Sequence, residues 1–218
     1  MEPLKGFDVS HHNGQFAVSK YAKGRDFVIC KATEGVGFVD KEFDSNIKLA
    51  KMNGLLIGAY HYARPDLNAN PEVEAASFVT VVKEHVGNIL LALDWEGLSI
   101  NHKYDGWALN WCEYVYQETG VRPVIYVSES CIPYVNDCGQ NGFGLWVAKW
   151  SDKKVNLNGT AWEFMALRQT TNKPIDLDEF YGTETQWKKY CTPEFEDADV
   201  GLTPGTCHCG CTCCGKEE

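Results

Sequence analysis

The sequence carries no surplus of positive charge: 20 Lys and Arg stand against 30 Asp and Glu among 218 residues, a net charge of −10. That balance argues against nucleic acid as a partner, because binding there is driven by Lys and Arg that neutralise phosphates. It also gives no general attraction to anionic membranes or acidic polymers, so any anionic partner has to be recognised locally. No apolar stretch is long enough to cross a bilayer, and membrane insertion is not expected. The first residues, MEPLKGFDVS, lack the basic and then hydrophobic run of a secretory signal. Internal repeats are missing, and the main body has no H-x-x-x-H or similar spacing, so no metal site is expected there.

What the chain does have is bulk: 44% of its residues are hydrophobic and 12% aromatic, enough for one large domain with a substantial core. Its ten cysteines divide sharply. Cys30, Cys112, Cys131, Cys138 and Cys191 are scattered through the body, where free thiols are common buried residues. The other five, Cys207, Cys209, Cys211, Cys213 and Cys214, crowd into CHCGCTCCG beside His208. The polar, turn-prone stretch from Thr192 reads as a linker to this tail, which divides the chain into a body over 1–191 and an appendage over 192–218. The cysteine cluster could bind a soft metal weakly, form disulfides, or have no structured role; its spacing is too tight for a zinc finger.

Apolar, β-branched runs at 4–9, 26–31, 55–62, 89–95, 122–127, 144–150 and 163–169 read as strands. Several are apolar at consecutive positions, as parallel strands covered on both faces require. Helical spacing of apolar residues marks 42–53, a second segment capped by Asn70-Pro71 and ending at Gly87, and a third over 105–119 with Asp105 as its cap and Gly120 as its stop. Strand–helix alternation with about eight strands predicts an α/β fold closed as a TIM-like β/α barrel. Little helix separates the later strands, so the barrel should be irregular.

Within LLALDWEG an apolar run enters two carboxylates, Asp94 and Glu96. In an extended segment their i, i+2 spacing puts both on one side, with Cα atoms roughly 6.5 Å apart, and turns Trp95 away. Taken alone, such a pair reads first as a turn-forming Asp and a solvated Glu at the start of a loop. Asp8 in GFDVSHHNG and Asp176 in PIDLDEF hold similar places, and a barrel brings its first and last strands together. The C-terminal strand ends form a barrel's working face, so four acids there point to chemistry.

Seven motifs, GFDVSHHNG, CKATEGVGFVD, GAYHYARP, LALDWEG, IYVSES, LWVAKW and RQTTNKPIDLDEF, occur in one order over about residues 4–182. In that ordered set the chain resembles glycoside hydrolase family 25, the Chalaropsis-type lysozymes or N-acetylmuramidases. The resemblance implies an irregular barrel with fewer helices than strands. It implies cleavage of the β-1,4 bond between N-acetylmuramic acid and N-acetylglucosamine in peptidoglycan, without cofactor. Glu96 would be the general acid/base, and Asp94, Asp8 and Asp176 the other active-site carboxylates. An ionised Asp94 would raise the pKa of Glu96 and keep it protonated. The family is described as retaining, with the substrate's 2-acetamido group as nucleophile oriented by Asp176 or Asp94. A related hydrolase acting on chitin and a barrel that binds peptidoglycan or chitin without cutting it are the rival readings.

The resemblance places Tyr60, Tyr62, Tyr126, Trp146 and Gln169 in the substrate cleft, with Lys31 paired to Glu34 at its edge. Plain barrel filling is the competing role for these aromatics. His61 should face away from its tyrosine neighbours and pack, while His11 and His12 could rim the cleft. Arg168 departs from the family, which often has an aromatic before this glutamine; it would alter a cleft wall or add a surface ion pair. A monomer acting on the cell wall outside the cytoplasm is expected. The missing leader suits a holin-released phage lysin or a secreted protein shown without its signal.

Overall fold

The computed structural model describes residues 2–194 and contains nine strands and six α-helices. Strands β1 (Leu4–Val9), β2 (Phe27–Glu34), β4 (Leu56–Tyr62), β5 (Ile89–Asp94), β6 (Val124–Ser128), β7 (Gly144–Ala148), β8 (Leu167–Thr171) and β9 (Asp176–Phe180) form a closed ring, because β1 pairs with both β2 and β9. The two-residue β3 (Phe38–Val39) hangs on the edge of β2 as a hairpin. The eight-stranded barrel with few helices is the architecture read from the sequence. Strand β5 lies between β4 and β6 and all six of its residues are buried, which explains the unbroken apolar run ILLAL before Asp94.

One strand breaks the expected parallel order. β9 runs antiparallel to both β8 and β1. Only residues 172–175 separate β8 from β9, too few for a crossover, so the chain can return only as a hairpin. The strand expected at 163–169 begins later, at Leu167, where the ladder to Trp146 starts. The residues before it are tied down by a side chain instead: the Trp162 indole donates to the Phe143 carbonyl at 2.8 Å.

Helices α2 (Phe43–Met52), α3 (Pro71–Val82) and α4 (Trp107–Thr119) occupy the expected segments. The Asn70 side chain caps α3 through the Glu72 amide. Asp105 does not cap α4. The helix starts after Gly106, whose φ of 80° turns the chain, and the Asp105 carboxylate accepts from His102 instead. Three helices were not foreseen: α1 (Ala17–Tyr21), α5 (Asn136–Gln140) and α6 (Glu184–Cys191).

Alternation along the strands builds two apolar layers. Phe7, Val28, Leu91, Leu93 and Val127 face the helices, together with Phe78 of α3 and Trp111 of α4. Phe27, Ile29, Leu90, Val124 and Phe180 fill the lumen. Gly6 keeps room there, since a Cβ on it would meet the Phe27 ring at 2.4 Å. Trp187 of α6 closes the floor, its ring 4.7 Å from Phe27 and 5.1 Å from Phe180. The lumen is therefore packed at that end and open at the other.

Candidate active site

The open end collects the C-terminal ends of the parallel strands, and the reversed β9 delivers its N-terminus to the same place. Asp8 and Asp176 are direct partners in the β1–β9 ladder. Asp94 closes β5, and the chain stays extended through Glu96 (φ −146°, ψ 179°), so both acids face inward. Trp95 turns outward onto Trp107, with ring centres 5.4 Å apart, and its amide donates to the Tyr126 carbonyl.

Two joined cavities meet at Tyr60, Asp94 and Glu96. The deeper one, about 230 Å³, is also lined by Asp8, Tyr126, Trp146, Trp150, Gln169 and Asp176. The wider one, about 480 Å³, takes in Ser10, His12, Lys31, Glu34, Tyr62, Arg64 and Leu98. The ten residues singled out in the sequence, Asp8, Lys31, Tyr60, Tyr62, Asp94, Glu96, Tyr126, Trp146, Gln169 and Asp176, thus share one cleft.

Hydrogen bonds fix the walls. Gln169 Oε1 accepts from Tyr126 Oη at 3.0 Å and Trp150 Nε1 at 2.9 Å, while its Nε2 donates to Asp8 Oδ2 at 2.8 Å. Trp146 Nε1 donates to Asp178 Oδ1 at 3.0 Å, and the Trp146 and Tyr126 rings meet edge to face at 4.8 Å. On the other side Lys31 Nζ donates to Glu34 at 2.6 Å. Arg64 donates to Glu34 at 3.0 Å and grips Asp66 with two bonds of 2.9 Å. Lys31 also lies 4.9 Å from the centre of the Tyr62 ring.

Burial is the main force on the acids. It lifts Asp8 to about 7, with help from the charge of Asp176, against bonds that favour the ionised form. Burial, then Glu96, then Asp8 hold Asp94 well above the ordinary carboxylate range. Glu96 is raised by burial first and Asp176 second, with Lys31 opposing. The expected upward push on Glu96 from Asp94 is thus replaced by one from Asp176, and Asp94 is itself raised. Asp176 is raised by burial. Groups this close share protons, so the cleft keeps carboxylic acids available as proton donors where isolated ones would be ionised. Asp94 Oδ1 is buried and accepts no hydrogen bond from the described residues.

A model of the family described as Glycosyl hydrolases family 25 matches residues 7–177. The chain belongs to glycosyl hydrolases family 25. It is 32% identical to the protein named "Uncharacterized protein YegX" of Escherichia coli K12 over 194 residues, covering 83% of this chain and 70% of that one. Among solved structures, a family GH25 lysozyme from Aspergillus fumigatus superposes with a TM-score of 0.69 at 27% identity, over 87% of this chain and 99% of the other. A muramidase from Acremonium alcalophilum gives 0.71 at 26%, over 88% and 100%. This family 25 chain is a glycosidase.

Several residues at the cleft escaped the sequence reading: Ser10, Ala63, Arg64 and Leu98 of the wider cavity, Trp150 of the deeper one, and Asp178 beneath them. Trp150 is 56% exposed and holds Gln169. It lies on the same alternating face as Trp146 and Ala148, a signal present in LWVAKW. Asp178 stands two residues beyond Asp176, in the same relation that made Asp94 and Glu96 a pair. His12 lines the wider cavity, whereas His11 Nδ1 donates to Asp40 at 2.7 Å. His61 is buried, its Nδ1 accepting from Thr33 at 2.7 Å and its Nε2 donating to Glu74 at 2.9 Å, with burial depressing its pKa. That is the packing role expected. Arg168 makes no ion pair among the described residues; it donates to the carbonyls of Lys149 and Ser151, either side of Trp150. The five body cysteines are free thiols. The tail, with Cys207 to Cys214, lies outside the described residues.

Proposed function

We propose that this family 25 glycosidase is a lysozyme-type muramidase, cleaving the β-1,4 bond between N-acetylmuramic acid and N-acetylglucosamine with retention. The observation that carries this reading is the place of Glu96: it stands where the two cavities join, with a carboxyl held protonated beyond its ordinary range. A glycan strand laid through both cavities puts its bond at that junction. Names among the relatives, lysozyme and muramidase, point the same way.

In this reading Glu96 gives its proton to the bridging oxygen as the bond breaks. Positive charge then develops on the sugar ring held among Asp8, Asp94 and Asp176. Asp94, which lines both cavities, suits the N–H of a 2-acetamido group, whose carbonyl oxygen bonds to the anomeric carbon as the leaving alcohol departs. Glu96, now a carboxylate, takes a proton from the water that opens this cyclic intermediate, which restores the acid and the starting configuration. Tyr60, Tyr62, Tyr126 and Trp146 offer ring faces to the apolar C–H surfaces of the sugars, and Lys31 holds the wider cavity's wall. The catalytic unit is the barrel over 1–191, acting as a monomer on peptidoglycan outside the cytoplasm. Among the described residues no helix is long and apolar enough to cross a membrane.

The test is a turbidity assay on several cell-wall preparations, followed by identification of the new reducing ends. Muramic acid ends are expected from the native chain. Glu96→Gln should lower the rate by about 10²–10⁴-fold while the thermal transition persists. Glucosamine ends, or a fully active Glu96→Gln protein, would overturn the reading.

A further inference from the structure

Asp178 lines neither cavity, yet it is 2% exposed in the lumen, directly beneath the acids. Its ladder partners are Gly6 on β1 and Gln169 on β8. One carboxyl oxygen accepts from the Trp146 indole. The other, Oδ2, is buried and meets no donor among the described residues. What stands within hydrogen-bonding reach of this side chain is Asp8, another carboxyl. Two buried carboxylates in contact, with no cation between them, repel each other and leave an oxygen uncompensated. One proton removes both problems, because it turns the orphan acceptor into a donor aimed at Asp8.

We propose that Asp178 is a neutral carboxylic acid that donates its proton to Asp8, a positioning residue that with Gln169 holds the Asp8 carboxyl against the glycan. The bonds then close a circuit. Asp178 donates to Asp8, Asp8 also accepts from Gln169, Gln169 accepts from Tyr126, Tyr126 packs on Trp146, and Trp146 donates to Asp178. Burial and the neighbouring Asp8 keep the Asp178 carboxyl well above the usual range, and the bonds from Gln169 and Asp178 favour the ionised form of Asp8. Other charged or titratable groups facing the pair are Asp176 on β9, Asp94 at the end of β5, Glu96 just beyond it, Tyr60 on β4 and Tyr126 on β6. The nearby cation of the cleft, Lys31 on β2, is already held by Glu34. Asparagine can replace such an acid, with its oxygen for Trp146 and its amide for Asp8; alanine can do neither.

This rests on the reading of Asp8 as a cleft carboxylate, so the test has a readout independent of turnover. Carboxyl ¹³C NMR of the full chain is recorded across pH, with Asp8→Asn and Asp178→Asn assigning the two signals. The Asp178 signal should stay in its protonated position while Asp8 titrates. Asp178→Ala should move the Asp8 midpoint upward, because a donor is lost, and Asp178→Asn should leave it near the native value. An ionised Asp178 at neutral pH, or a downward move of Asp8 in both variants, would overturn the proposal. On soluble glycan strands Asp178→Ala should lose about ten- to a hundredfold in kcat with little change in KM, the loss expected for one bond to a charged group. Asp178→Asn should recover most of it, and an asparagine variant as poor as alanine would also overturn the proposal. If the alanine variant does not fold, the native spectrum and Asp178→Asn decide. A fully active Asp8→Asn protein would instead remove Asp8 from the mechanism and leave the NMR result on Asp178 intact.

Discussion

At Glu96, burial and the charge of Asp176 both favour the protonated acid, and Lys31 works against them. Removing the cation should therefore let the proton stay on longer. Lys31→Met, which removes the charge and keeps an unbranched side chain, is expected to move the alkaline limb of the kcat/KM–pH profile to higher pH; a shift to lower pH would contradict the electrostatics described. The same carboxyls set a stability trend. Asp8 has an ordinary value of 3.8 and one of about 7 in the fold, so between those limits the folded chain binds more protons than the unfolded one. Stability falls as pH rises wherever that holds. Thermal melts should give a higher Tm at about pH 5 than at about pH 8, and Asp8→Asn should flatten the difference by raising the alkaline value. At this scale the sequence was readable where one rule sufficed: alternation beyond a buried strand places Asp94 and Glu96. Applied to IDLD it would equally have found Asp178. What no local rule supplies is that Asp178 meets Asp8, which lies 170 positions earlier in the chain.

Among the elements that shape the lumen, β9 at its mouth and α6 at its floor were the least visible. β9 is short and carries three acids in five residues, and its direction depends on the four-residue link behind it rather than on its own composition. That reversal is what brings Asp176 to the mouth. α6 did carry a signal, since Thr183 and Gln186 form a reciprocal cap, the T-x-x-Q pattern that opens many helices. α1 and α5, at five residues each, are too short for apolar periodicity to register. The contribution of α6 can be measured through Trp187, which seals the lumen floor against Phe27 and Phe180. Trp187→Ala should cost about 3–5 kcal/mol, the usual result of emptying a core site of this size. In a chain of this length that corresponds to a Tm lower by on the order of 10 °C. Because the floor lies at the far end from Glu96, kcat well below the transition should remain close to native. A variant that melts normally would show that α6 does not hold the barrel shut.

For the whole molecule, strand number and the alternation of strands with helices were enough to expect closure, but the closing pair β1–β9 joins distant segments and is settled only by packing. Net charge, by contrast, is read directly from the sequence and has a consequence for the reaction. A chain with a net charge of −10 approaches peptidoglycan whose stem peptides carry carboxylates of their own. Repulsion between them extends about 30 Å at 0.01 M salt and about 8 Å at 0.15 M. The local cations of the wider cavity, Lys31 and Arg64, are already paired with Glu34 and Asp66 and do little to offset it. Clearing of intact walls should accordingly speed up as salt rises over that range, through the encounter step, while cleavage of a short uncharged oligosaccharide should hardly respond. Lysis that slows with added salt would mean that a positive face of the cleft governs the approach, and that the paired cations are freed when the wall arrives.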